Sequence, residues 1–224
     1  IETMNNAENI FSKYINLEKG KIRIGGGNSL VASLIMEPFI EFVKSYPDIE
    51  ISISSGITDK LMQKLANGEL DIVVLNLPYT NKKYSNVEIT PLKKASYCFF
   101  ASKKYAKEHP IKTSKDLEEA ILILPKELSI KREILNEYCK NVNLQLNSKY
   151  EVSSSSIMKN IVLNDIGIGF TNTENIKEIA DKITIIKKID NMSSEYGIAT
   201  LKKNMCNKAT IELTEKIKQC YKQN

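Results

Sequence analysis

The sequence predicts an α/β protein of two lobes. Short apolar segments of strand length alternate with amphipathic segments of helix length, the order that builds parallel sheets. The alternation runs through both halves of a 224-residue chain, a length that suits one large domain or two small ones. No low-complexity stretch separates the halves, so ordinary strands must join them.

Residues 1–19 carry Met4, Ala7, Phe11 and Tyr14 on one side of a helix, with the period of a coiled-coil seam, and Gly20 ends it. Residues 21–25 alternate as a short strand, and Gly25-Gly26-Gly27-Asn28-Ser29 is a turn ending in good N-cap types. One helix is expected over residues 29–45, stopped before Tyr46-Pro47. Ile49, Ile51 and Ile53 mark a strand, residues 58–67 a helix closed by Gly68, and residues 71–75 a continuous apolar strand. The second half reads as strand 121–124, helix 129–141, strand 146–152, helix 153–163 and strand 168–171. Residues 173–181 look helical, 183–186 and 196–201 are strands, and an amphipathic helix closes the chain over 207–221.

The helix at 29–45 gathers Ser33, Glu37, Glu41 and Lys44 on one narrow side, while Leu30, Val31, Leu34, Ile35, Met36, Phe39, Ile40, Phe42 and Val43 cover the rest. That apolar arc exceeds the roughly 100° a surface helix needs. It implies burial against a core and against something else, a second subunit being the sharper reading.

Composition narrows the function. With 42% hydrophobic and 26% charged residues the chain has an ordinary globular mix. No apolar run nears the ~18–20 residues of a membrane span, and no signal-peptide pattern opens the chain. The net charge of +5 comes from scattered lysines with only Arg23 and Arg132 among them, and no basic stripe has interleaved aromatics. Nucleic acid is therefore not expected to bind this segment directly. Cys98, Cys139, Cys206 and Cys220 are far apart and His109 is the lone histidine, so no metal site is expected and a reducing cytoplasm is inferred.

The chemistry of the usual enzymes is missing. There is no nucleophile elbow, phosphate-binding P-loop or zinc-protease motif. The Gly25-Gly26-Gly27 turn lacks the third glycine of a dinucleotide fingerprint. The run Ser153-Ser154-Ser155-Ser156 has no histidine base nearby in sequence. What recurs is small neutral hydrogen-bonding residues where a strand gives way to a helix: Asn28 and Ser29, Thr58 and Asp59, Asn76, and Ser153 and Ser154. Each could be a plain helix cap. Together they could surround a small carboxylate at the carboxyl ends of strands, where open α/β sheets bind ligands.

Gly20-Lys21-Ile22-Arg23-Ile24-Gly25 leads into a helix carrying Pro38 and Phe42, then Tyr46-Pro47-Asp48-Ile49 and Gly68-Glu69-Leu70-Asp71-Ile72-Val73. His109-Pro110-Ile111, Lys115-Asp116-Leu117, Arg132 and Gly167-Ile168-Gly169 follow in order. From Gly20 onward the chain resembles the effector-binding domain of LysR-type transcriptional regulators. The resemblance implies two Rossmann-like lobes joined by crossover strands, the type 2 periplasmic-binding-protein fold, with a small-molecule effector in the cleft. It divides the chain into a linker-helix end (1–19), lobe I (20–97 and 193–224) and lobe II (98–192). It implies a winged helix-turn-helix reader ahead of residue 1, through which alone DNA would be bound, and a homodimer or homotetramer formed through the long first helix.

The family's binding positions match Asn28, Ser29, Thr58, Asn76 and Ser153. Gly27, Ser154 and Thr171 are plausible neighbours, and Lys126 is a candidate counter-charge. One departure is that the family's Gly-x-Gly turn reads Asp165-Ile166-Gly167 here. The expected function is a cytoplasmic sensor of a small metabolite, a carboxylate by family habit, with no catalytic residue, cofactor or membrane. An extracytoplasmic solute-binding protein of the same fold is the alternative. An enzyme on this fold would direct attention to Lys126 or Asp165.

Overall fold

A computed structural model describes residues 19–81, 83–189 and 195–222. The predicted helix over residues 1–19 lies outside them, apart from Lys19. The chain folds as two units, one from Ile1–Lys94 with Ser194–Asn224, the other from Ala95–Ser193. Each holds a five-stranded mixed sheet, as the α/β reading requires.

In the first unit β1 (Gly20–Gly26) pairs in parallel with β2 (Ile49–Ser54) and β3 (Ile72–Leu77). β10 (Glu195–Leu201) then runs antiparallel between β3 and β4 (Val87–Lys94), giving the order β2-β1-β3-β10-β4. The second unit repeats the plan. β6 (Leu122–Pro125) lies parallel between β7 (Ser148–Val152) and β8 (Ile168–Asn172). β5 (Tyr97–Ser102) is antiparallel to β8 and to β9 (Ile183–Ile189), so the order is β7-β6-β8-β5-β9. In both sheets the antiparallel member is the first strand after the chain enters from the other unit.

The single helix expected over 29–45 is two. α1 (Asn28–Leu34) and α2 (Met36–Ser45) are separated at Ile35, whose φ of −110° is distorted from the regular helical value though still on the right-handed side. Pro38 supplies the cause, since it has no N–H for the carbonyl of Leu34 four residues back and its ring crowds that carbonyl. The freed oxygen is not left bare: the Tyr221 hydroxyl donates to it at 2.9 Å. Tyr221 comes from α7 (Lys208–Lys222), which packs on α2. Pro38 and Phe42 are buried on that side, while Ile40 is 46% exposed, so part of the broad apolar arc remains uncovered.

α3 (Thr58–Ala66) buries Leu61, Met62 and Leu65 against Val73, Leu75 and Ala199, and ends at Gly68, whose φ of +74° is the left-handed turn glycine favours. Where Arg23 meets Asp71, the guanidinium grips the carboxylate through Nε and Nη2 at 3.0 Å each, and the Arg23 N–H adds a bond of 2.7 Å. This staples the entry of β3 to β1.

In the second unit, α4 (Lys103–Glu108), α5 (Ile130–Asn141) and α6 (Ser155–Leu163) flank the sheet. Cys98, Phe100, Ile123, Met158 and Val162 form its core. Phe99 and Phe170 pack at 5.1 Å between ring centroids. The helix expected at 173–181 is a 3-10 segment, Thr173–Ile179, capped by the Asn172 side chain, which accepts from the Asn175 N–H at 2.9 Å. At the turn where the resemblance departs, Asp165 adopts φ of +61°. Aspartate tolerates this region, so the glycine-like backbone survives. Its carboxylate accepts from the Ser102 hydroxyl at 2.5 Å and pairs with Lys104 at 3.2 Å, and both bonds hold it below the usual carboxylate range. Asp165 therefore fastens a turn.

Candidate functional site

In a sheet of order 2-1-3, helices leave neighbouring strand ends on opposite faces, and a crevice opens beyond the carboxyl ends of the middle strands. The first unit has this arrangement at β1 and β3, and the second at β6 and β8.

At the end of β1 the glycines differ in role. A side chain at Gly26 would come within 2.7 Å of Val31 and 3.3 Å of the Val74 carbonyl, so packing demands glycine there, while one at Gly25 would meet the movable ends of Leu70 and Leu61 at 2.7 and 3.1 Å. At Gly27 a Cβ would meet only Leu30, at 3.9 Å. Gly27 is the N-cap of α1, its carbonyl accepting from the N–H groups of Leu30 and Val31. The N-cap is thus one residue earlier than Asn28 and Ser29 suggested. The same holds at α3, where Ile57 is the N-cap. Neither helix is capped by a side chain. Asn28, Ser29 and Thr58 are therefore in first turns without serving as caps. Asn76 lies in β3, two residues beyond Val74, which is level with Gly26. The structure thus gathers Gly27, Asn28, Ser29 and Asn76 at one sheet end, with Thr58 opening the helix after the neighbouring strand β2.

The second unit is more telling. Thr171, at the end of β8, is 1% exposed. Its hydroxyl receives the Asn175 side-chain amide at 3.1 Å and lies 3.5 Å from the Ser155 hydroxyl, the first residue of α6. The Asn175 amide also donates to Ser155, at 2.9 Å. Into this set comes Lys131 from the first turn of α5, its ammonium donating to Ser155 Oγ at 2.6 Å. Sequence patterns do not single out Lys131 and Asn175, and mark Ser155 only as a member of the serine run 153–156. The available cue was a lysine just behind the N-cap Ser129, where the helix dipole disfavours a cation.

Among the other expected residues here, Ser154 caps α6, accepting from the Ser156 N–H at 3.2 Å. Ser153 is exposed. Lys126 is exposed too, and its backbone N–H is bonded to the Val152 carbonyl at 2.9 Å.

Two adjacent cations on α5 are treated in opposite ways. Arg132 is 8% exposed and saturated: Glu127 at 2.7 Å, Glu151 at 3.1 Å and the Pro125 carbonyl at 3.0 Å hold it. It forms one wall of a polar cavity of about 320 Å³ with Cys139, Lys140 and Leu144, but has no charge to spare. Lys131 has no carboxylate within ion-pair distance among the described residues. Burial, with repulsion from Lys159 second, pushes its ammonium down to about 8. Lys159 is itself paired with Glu178.

Among the described residues no three His, Cys, Asp or Glu side chains stand close enough to hold a metal ion. None of the described helices is long and apolar enough to cross a membrane. All four cysteines are free thiols, and burial raises Cys98 to about 12.

Residues 16–213 match the family model described as the LysR substrate binding domain. A curated relative, a probable RuBisCO transcriptional regulator of Thalassiosira pseudonana, is 28% identical over 184 residues. That match covers 78% of this chain and 59% of the relative's length. Among solved structures, the regulatory domain of Synechocystis PCC6803 CcmR in complex with 2-PG aligns with a TM-score of 0.72 at 16% identity. The alignment covers 91% of this chain and 98% of that one. The effector-binding domain of QuiR in complex with shikimate aligns at 0.70 and 19% identity, covering 92% and 99%.

Proposed function

The chain belongs to the LysR substrate binding domain family, and from that premise we propose that it senses a small metabolite, a carboxylate, on behalf of a transcriptional regulator. The family is regulatory rather than catalytic. Two structurally similar domains were solved in complex with 2-PG and with shikimate. The observation that carries the reading is the unused polar chemistry at strand ends: Asn28, Ser29 and Thr58 open helices that take no side-chain cap.

On this reading Gly27, Asn28, Ser29, Thr58 and Asn76 in one unit, and Ser153, Ser154 and Thr171 in the other, are ligand-binding residues, with Lys126 a candidate counter-charge. The ligand acts by favouring one arrangement of the domain over another, since only differential affinity shifts a population. A DNA reader preceding this segment responds, and the protein associates as a homodimer or homotetramer through the partly uncovered face of α1 and α2. The site of action is the cytoplasm.

A thermal-shift screen against small carboxylates and phosphorylated acids tests this. A ligand at 100 times its dissociation constant stabilises the fold by about 2.7 kcal/mol, a rise of several degrees for a chain of this size. The double variant Ser29→Ala, Thr58→Ala is expected to keep its own melting temperature within a degree or two and to lose that rise. An undiminished rise in the variant would remove both residues from the site.

A further inference from the structure

Taking the effector reading as its basis, we propose that Lys131, Ser155, Thr171 and Asn175 form the receptor for an anionic group of the ligand, a carboxylate or a phosphoryl oxygen, and that Lys131 selects for it. The four side chains converge from the first turns of α5 and α6, the end of β8 and the 3-10 segment that follows it. Lys131 reaches Ser155 at 2.6 Å, and Asn175 bridges Ser155 at 2.9 Å and Thr171 at 3.1 Å.

Thr171 and Asn175 are 1% and 7% exposed, so their positions are set by the fold rather than by solvent. The ammonium is half-buried, sits in the positive first turn of α5, faces Lys159 and has no carboxylate of its own among the described residues. Every one of these features opposes a positive charge, and an incoming anion would compensate for them. The neighbouring Arg132, held by Glu127 and Glu151, shows what the same helix does with a cation whose task is structural. Serine, threonine and lysine donors recognise oxygen anions without a second fixed charge, which suits a small monoanionic head group.

The test is a nuclear magnetic resonance titration of the 224-residue chain with sodium phosphate and, separately, sodium acetate, against sodium chloride at matched ionic strength. The Asn175 side-chain amide and the Ser155 backbone amide are the reporters. Saturable shifts in both are expected with at least one anion and not with chloride. Tighter binding of phosphate assigns a phosphoryl ligand, and tighter binding of acetate a carboxylate. Lys131→Met is expected to weaken the dissociation constant tenfold or more, and Lys131→Arg to restore most of it. Absence of saturable shifts in the parent chain, or equal affinity in Lys131→Met, overturns the assignment. A metabolite that stabilises the parent and Lys131→Met equally also overturns it while leaving effector sensing intact. Saturable anion binding at Lys131 with no stabilising metabolite upholds the anion receptor and sinks the effector reading instead.

Discussion

Replacing Lys131 by methionine is expected to stabilise the protein while disabling it. The substitution keeps an unbranched stem of similar length and helix propensity but deletes the charge. In the fold the ammonium is pushed from 10.5 to about 8, chiefly by burial. At 1.36 kcal/mol per unit, the charged form costs the folded state about 3 kcal/mol. Losing the donor to Ser155 forfeits about 1 kcal/mol, since Asn175 still bonds that hydroxyl. The net expectation at pH 7 is a gain of roughly 1–2 kcal/mol.

The pH dependence gives the sharper check. Between about 8 and 10.5 the unfolded chain holds a proton at Lys131 that the folded chain has released, so the parent gains stability as pH rises through this window. The variant has no such gain. Urea unfolding of both proteins at pH 7 and pH 10 should therefore show the advantage of Lys131→Met shrinking toward zero or reversing. Titration of groups remote from Lys131 is common to the pair and cancels in the difference, leaving Lys131 and its neighbour Lys159. A variant less stable than the parent at pH 7, or an advantage that does not change with pH, would refute the electrostatic reasoning.

Two further outcomes follow from the packing. Tyr221→Phe should cost about 1 kcal/mol, because the Leu34 carbonyl has no helical donor and relies on that hydroxyl. In a Pro38→Ala background, where a backbone N–H returns to the helix, the cost should fall below half, as measured by a double-mutant cycle in urea. Cys98, completely buried and raised to about 12, should resist iodoacetamide at pH 8 in the native protein and react once the chain is unfolded, as read by peptide mass spectrometry.

The sequence made much of the fold legible because period and punctuation coincide in most elements. β1, β2, α3 and β3 alternate or run apolar between glycines and prolines, and their pairing follows from the repeated strand–helix order. Elements whose pattern is ambiguous were not foreseen. β5 is buried at every position, so it shows no alternation. β4 carries Pro91 and mixes half-buried with exposed residues. α4 has only six residues, too few to show a helical period. Pro38 lay in plain view, but the apolar arc running through it masked the break it imposes. At the site, strand-end serines and threonines could be read from their position in the repeat. Lys131 offered only its place just behind the N-cap Ser129, and a lysine in an amphipathic helix otherwise resembles any solvated lysine until Ser155, from another helix, is placed against it. Asp165 shows the opposite case: an apparent departure in sequence changed little, because aspartate accepts the left-handed backbone that glycine would have supplied.

Hydrogen–deuterium exchange with and without a saturating, thermally stabilising small acid tests ligand sensing most directly. The account predicts slowed exchange at the first turns of α1, α3 and α6, around residues 27–31, 58–61 and 155–158, with the remainder of both sheets little changed. Protection confined to the cavity beside Arg132 and Cys139, or absent from all three first turns, would contradict it.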